Sequence, residues 1–169
     1  MSKVNDPEGP PAASPSRREK LTPEHIANSP GDFEGFLFWR ASLRWQRMIT
    51  AVLRPFDLTH VQWVLLVGAW LMEIHDGKAP SQRELAEHNA TDVMMTSQVL
   101  NTLEKRGLVV RRQDVNDKRI RRISATPQGA KIAEESLAVV DAADSEFFSQ
   151  IGEPGSLVEP LRKLAAWEG

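Results

Sequence analysis

SQRELAEHNATDVMMTSQVLNTLEKRGLVVRRQDVNDKRIRRISAT, residues 81–126, decides the fold. Ser81-Gln82-Arg83-Glu84 is a capping box. In it the Ser81 hydroxyl accepts from the third backbone N–H and Glu84 reaches back to the cap. It opens a short helix through His88, and Asn89-Ala90-Thr91 forms a polar turn. Asp92 then caps a second helix through Val93, Thr96, Val99, Leu100 and Leu103, which Gly107 ends. Beyond Gly107 the apolar period drops to two. Residues 108–112 and 120–124 read as strands around a polar, turn-prone tip at 114–117.

On the N-terminal side, Thr59-His60-Val61-Gln62 is another capping box. Its helix carries Trp63, Leu66, Val67, Trp70, Leu71 and Ile74 up to Gly77, placed for the positive φ of a helix C-cap. Lys78-Ala79-Pro80 is a short extended link with room for a very small third strand. Residues 33–56 form a helix with two apolar stripes. Phe33, Phe36, Leu37, Ala41, Met48 and Val52 make one; Phe38, Trp45, Ile49, Leu53 and Phe56 make the other. Such a helix needs cover on two sides, one from its own domain and one from a partner subunit. Residues 1–30 read as a flexible tail, with four prolines among polar residues in the first twenty and little to bury. The tail's basic cluster, Arg17, Arg18 and Lys20, reads as solvated.

On the C-terminal side, Thr126-Pro127 is an N-cap followed by proline at the first helical position. The helix that follows spaces Ala133, Leu137, Val140, Asp144, Phe147 and Ile151 by alternating fours and threes, a coiled-coil-like seam. Gly152–Gly155 breaks it, and Ser156-Leu157-Val158-Glu159 offers a further capping box for a last helix with Leu157, Leu161, Leu164 and Ala165. The fold class is mainly α with a small β-wing: a winged helix-turn-helix. Residues 31–169 form one domain, with a DNA-binding lobe over 58–126. Helices over 33–56 and 127–168 flank that lobe.

Composition sets bounds on function. With 21 Lys+Arg against 23 Asp+Glu the chain is slightly acidic, so affinity for nucleic acid requires locally concentrated positive charge. The absence of cysteine excludes disulfides, thiolate metal sites and a cysteine redox switch. No apolar run reaches the roughly 20 residues that span a bilayer, no secretory signal is evident, and a cytoplasmic protein is expected.

The second helix of the motif leaves Met94, Met95, Ser97, Gln98, Asn101 and Thr102 on or near its outer face. Gln and Asn amides can pair bidentately with adenine, and methionine can meet thymine methyls. Ser81 and Gln82, at the start of the first helix, join the candidate DNA contacts. The wing carries the charge: Arg111, Arg112, Lys118, Arg119, Arg121 and Arg122 face only Asp114 and Asp117, a local surplus of four. A basic hairpin tip suits the negative potential of a minor groove, and phosphate neutralisation makes binding salt-sensitive.

These residues resemble the MarR-type winged-helix regulators. The resemblance lies in Leu85-Ala86, residues 92–100, residues 103–109, the Asp117-Lys118-Arg119 wing tip, and Thr126 with Gly129. Roughly residues 33–168 fit the family's helix order. Ala125 stands where leucine is usual and Ala90 where glycine is common in the turn. The resemblance implies a homodimer joined through its first and last helices. It further implies binding to pseudo-palindromic double-stranded DNA, commonly as a repressor, with Arg119 in the minor groove and Asp117 orienting it. Many such proteins release DNA when a small aromatic or phenolic effector binds. Trp39, Arg40, Arg44, His60, Trp63 and Val67 are candidates for that site, aromatics with a few polar groups.

Two other classes compete with this reading. An enzyme is disfavoured: the four histidines lie in separate segments, and no His-Glu-x-x-His, phosphate loop or nucleophile elbow occurs. No metal or cofactor is expected. A winged helix serving only protein interaction would have no use for Arg119 and Arg121.

Overall fold

The computed structural model describes residues 33–153 and 155–166. The tail read over 1–30 lies outside the described residues. The chain divides into two compact units, Met1–Ser42 and Leu43–Gly169. Helix α1, Glu34–Leu53, begins in the first and ends in the second, followed by a 3-10 turn at Arg54–Phe56. Its apolar residues split by position. Ile49 and Leu53 are fully buried, whereas Phe36, Leu37, Phe38 and Trp39 are exposed.

Helix α2, His60–Asp76, starts at the expected box: the Gln62 N–H donates to Thr59 Oγ1 at 3.3 Å, and the Thr59 N–H donates to Gln62 Oε1 at 3.0 Å. Gly77 ends it at φ 64°, where a side chain would be strained. Helices α3, Gln82–His88, and α4, Val93–Lys105, form the helix-turn-helix. The turn between them holds Ala90 at φ 49°, left-handed backbone that explains why glycine suits this position.

Strands β1, Val109–Gln113, and β2, Arg121–Ala125, pair antiparallel with Arg111 opposite Ile123 and Gln113 opposite Arg121. Both start one residue later than the alternation predicts. Leu108 belongs to the turn instead: its N–H returns to Leu103 O (2.9 Å), and its carbonyl accepts from Thr126 (3.0 Å). Likewise the Ile120 N–H closes the tip onto Asp117 O (2.9 Å). The third strand shrinks to a bridge between Ser81 and Arg122, beside an Ile123 N–H bond to Pro80 O. Pro80 has no N–H with which to extend that ladder.

Helix α5 is Pro127–Phe148, continued by a 3-10 turn at Ser149–Ile151, and α6 is Val158–Ala165. Part of the α5 seam packs within the chain: Ala133 is fully buried in the main core, with Leu137 packed on it, and Val140 packs with Ile49 and Leu53, while Ile151 at its far end is exposed. The cover over that part comes from the chain's own α1 and α2. The Ser156 capping box does not form, because a tight turn (Val158 N–H to Gly155 O, 3.0 Å) makes Leu157 the N-cap with no side-chain bond.

The main core joins α2, α3, α4, the wing and α5 through Leu65, Leu66, Leu85, Leu100, Leu103, Leu108 and Ile123. Each fully buried aliphatic side chain of this kind contributes about 1.5–3 kcal/mol. This packing holds the helix-turn-helix and the root of the wing as one body.

Candidate nucleic-acid interface

Helix α4 is held by its first turn. Asp92 Oδ1 accepts from the Met94 and Met95 N–H groups, each at 2.9 Å. The hydroxyl of buried Thr96 donates to Asp92 O at 2.8 Å and shares a bond with Thr91 Oγ1 at 2.8 Å. With Thr96, Leu100 and Leu103 buried, the opposite face is offered to solvent: Met94 is 73% exposed, and Met95, Gln98, Asn101 and Thr102 are also exposed. Ser97 is half-buried. Ser81 and Gln82 are half-buried as well and already engaged. Ser81 Oγ caps α3, and Gln82 Nε2 donates to Val93 O at 3.4 Å, tying α3 to α4.

The six cations of the wing separate into two groups. Arg111 and Arg122 turn inward. Arg111 donates to Asn101 Oδ1 (2.5 Å), Glu104 Oε2 (2.9 Å) and Ser97 O (3.2 Å), fastening β1 to α4. Arg122, with its side chain 13% exposed, bonds Asp114 Oδ2 and Glu84 Oε2 at 2.6 Å each, and Ala79 O at 3.3 Å. Arg112, Lys118, Arg119 and Arg121 are exposed. The surplus of four stands as a sum, but its outward part is carried by these residues, because neighbouring carboxylates satisfy the other two.

Asp114 organises the tip. Its side chain is 4% exposed. Oδ1 accepts from the Asn116 and Asp117 N–H groups at 2.8 and 3.2 Å. The Asn116 N–H first, then the Arg122 guanidinium and the Asp117 N–H, hold its carboxyl far below the ordinary aspartate range, with Lys78 adding to the effect. The sequence places Asp114 in a turn-prone tip but does not show its bond to Arg122; an aspartate two residues before an asparagine in a tight tip is the signal that marks such a turn. At the outer end Asp117 grips Arg119 through both oxygens, at 3.1 and 2.9 Å, and also accepts the Arg119 N–H at 3.0 Å. The Arg119 side chain, 91% exposed, is thereby aimed without being covered.

The effector candidates fall in both compact units. Trp39 and Arg40 are exposed residues of the first unit, where Arg40 lies 5.6 Å over the Phe36 ring. In the second unit Val67 is part of the core and Arg44 is exposed. His60 and Trp63 do meet, stacked at 6.1 Å, and Trp45, absent from the sequence-derived set, packs edge-on to His60 at 5.0 Å. Trp45 Nε1 donates to Asp144 Oδ1 at 2.6 Å. Trp63 Nε1 is buried and lacks a hydrogen-bond partner among the described residues. Burial pushes the His60 pKa down against the opposing pull of Asp144, so its neutral form is favoured.

A helix-turn-helix with an exposed polar reading face, flanked by a basic two-stranded wing, defines a winged-helix transcriptional regulator. Comparison with known proteins places it more closely. Residues 58–120 match the MarR family. The HTH-type transcriptional regulator YdcH of Bacillus subtilis is 36% identical over 141 residues, which cover 83% of this chain and 95% of that protein. The crystal structure of CouR from Rhodococcus jostii, bound to p-coumaroyl-CoA, is 30% identical with a TM-score of 0.69, covering 80% of this chain and 90% of that one. The Mycobacterium tuberculosis MarR family protein Rv2887, in complex with p-aminosalicylic acid, is 26% identical with a TM-score of 0.60, over 79% and 99% of the two chains. The chain belongs to the MarR family of transcriptional regulators. No described helix is long and apolar enough to cross a membrane.

Proposed function

We propose that this regulator acts in the cytoplasm as a homodimer on an inverted-repeat operator, reading bases with α4 and gripping the backbone and minor groove with the wing. The observation that carries this reading is the pairing of an uncharged, exposed α4 face with the outward cations Arg112, Lys118, Arg119 and Arg121. Gln98, Asn101, Met94 and Met95 supply base contacts, with Ser97 and Thr102 at their margin; Ser81 and Gln82 flank them at the start of α3. Residues 58–126 are the DNA-binding lobe. Repression follows when the operator overlaps a promoter.

Two exposed apolar faces support the dimer, one in each compact unit. Phe36, Leu37, Phe38 and Trp39 expose the first. Val158, Leu161 and Leu164 on α6 expose the second. Because Leu161 and Leu164 touch solvent in the single chain, Leu161→Asp with Leu164→Asp is expected to leave its melting temperature nearly unchanged while converting dimer to monomer. Selection from a random duplex pool tests the whole reading. Wild type is expected to enrich inverted repeats with half-sites about 10 base pairs apart, and the double variant to enrich none. Enrichment of nothing by a dimeric wild type would refute it.

A small aromatic effector is also proposed. Its support in this chain is the Trp45–His60–Trp63 cluster, whose unpaired Trp63 N–H offers a donor to an acceptor-bearing ring. CouR and Rv2887, bound to aromatic ligands, lend the chemical class. An aromatic acid that binds the native state raises the melting temperature. That rise is expected to vanish in Trp63→Phe, and a rise that persists there would place the ligand elsewhere.

A further inference from the structure

We infer that Arg111 is a positioning residue which sets the orientation of the Asn101 amide, and so decides what Asn101 can read in the major groove. The inference rests on the DNA-binding reading above and adds a specificity determinant to it. Asn101 lies on the exposed face of α4, and Arg111 reaches it from β1 with a side chain only 18% exposed. Every contact of that guanidinium fixes its place: Asn101 Oδ1 at 2.5 Å, Glu104 Oε2 at 2.9 Å and Ser97 O at 3.2 Å. The Arg111 N–H also donates to Glu104 Oε1 at 3.3 Å, so backbone and side chain are clamped to the same helix.

Chemistry settles which end of the amide faces the arginine. A guanidinium has donors and no acceptor, so only the oxygen of Asn101 can meet it. The amide NH2 is thereby turned away from Arg111, towards the open face. Adenine recognition by asparagine uses both ends of the amide, accepting from N6 and donating to N7. Arg111 takes one of the two lone pairs of the Asn101 oxygen and fixes the amide, so Asn101 reads chiefly as a donor. It selects base edges that present acceptors, namely purine N7, guanine O6 or thymine O4, and rejects the N4 donor of cytosine. Gln98 differs. Its side chain has no hydrogen-bond partner among the described residues, so both ends of its amide remain for a bidentate pair with adenine. Two amides three residues apart on one helix therefore carry different codes.

The same geometry separates Arg111 from the phosphate-binding cations. Glu104 already answers its charge at 2.9 Å, so it has little left to release counterions from DNA. Its loss is expected to change which bases are preferred, not how steeply binding falls with salt.

The test is a single-base-pair substitution series on the duplex selected by the wild-type protein. It is measured for full-length wild type, Asn101→Ala, Arg111→Ala and the double variant, with melting temperatures alongside. Wild type is expected to discriminate about tenfold or more at the base pair that Asn101 reads. Asn101→Ala should flatten that same position to about threefold or less, whereas Arg111→Ala, which frees the amide oxygen, should shift its preference towards adenine; both should keep preferences elsewhere and retain the wild-type salt slope. The double variant should match Asn101→Ala there. If Arg111→Ala does not fold, Arg111→Lys carries the test: it keeps the charge without the fork and should shift the preference towards adenine at that position alone. A uniform loss across all positions with the profile intact would overturn the inference, as would flattening at a position Asn101 does not govern. A wild-type protein that selects no duplex would bring down the DNA-binding reading itself, a result distinct from either.

Discussion

Gly129→Ala is expected to destabilise the fold by about 3 kcal/mol or more, the largest effect of an added methyl group among the described glycines. The reason is the docking of α5 on the entrance to the wing. Thr126 caps that helix by accepting the Gly129 N–H at 3.0 Å, while its own hydroxyl donates to Gly107 O at 2.6 Å. These bonds draw the first turn of α5 down onto the Leu108 carbonyl. A Cβ at Gly129 would lie 1.9 Å from Leu108 O and 2.8 Å from its carbonyl carbon. Backbone atoms cannot swing aside as a side chain can, so α5 must lift and expose Ala133 and its neighbours. Gly35→Ala supplies the control. A Cβ there meets nothing within 4 Å, and alanine is favoured over glycine in a helix by about 1 kcal/mol. Denaturant midpoints that move alike for the two variants would show that α5 is not seated as described.

The second large effect is expected at Arg122, which joins the wing tip to α3. Arg122→Ala leaves the Asp114 carboxylate covered and without its main cation, and frees Glu84 to serve only the α3 cap. The tip should loosen while the helical core persists, so DNA affinity falls at least about tenfold with helix content retained. The sign of the pH dependence follows from Asp114. Its carboxyl is depressed in the folded state, so its contribution is complete above the unfolded aspartate value of about 4. It is lost as pH falls below that value towards the folded one. Wild type should therefore lose stability on acidification below about pH 4 more steeply than Asp114→Asn, which has no such group to protonate. Identical acid limbs would mean that the Asp114 network does not hold the tip.

Much of this was legible in the sequence because the signals were local. The boxes at Thr59 and Ser81, the Asp92 cap and the Thr126-Pro127 start all act within one helical turn, and each forms. The Asp117–Arg119 contact spans two residues and could be anticipated from the family resemblance. Long-range choices were harder. The α5 seam at Ala133, Leu137 and Val140 has a spacing that any apolar groove satisfies; periodicity reports that a stripe is buried, not whether the cover comes from the same chain. Arg111 and Arg122 look like Arg112 and Arg121 in sequence. What separates them is the position of Glu104, Asp114 and Glu84 around the hairpin, which only the fold determines. Trp45 entered the aromatic cluster for the same reason, reached across to His60 and Asp144 by tertiary packing.

The central claim is that an acidic chain grips DNA through outward wing cations, with Arg119 foremost. The most direct measurement is affinity for the selected duplex across a series of salt concentrations, for wild type beside Arg119→Ala. Log affinity should fall linearly with log salt for wild type, with a slope of about −0.9 for each phosphate neutralised. Arg119→Ala should bind at least about tenfold more weakly at low salt, with a slope shallower by about 1 per protomer. Binding that ignores salt and survives Arg119→Ala unchanged would contradict the account.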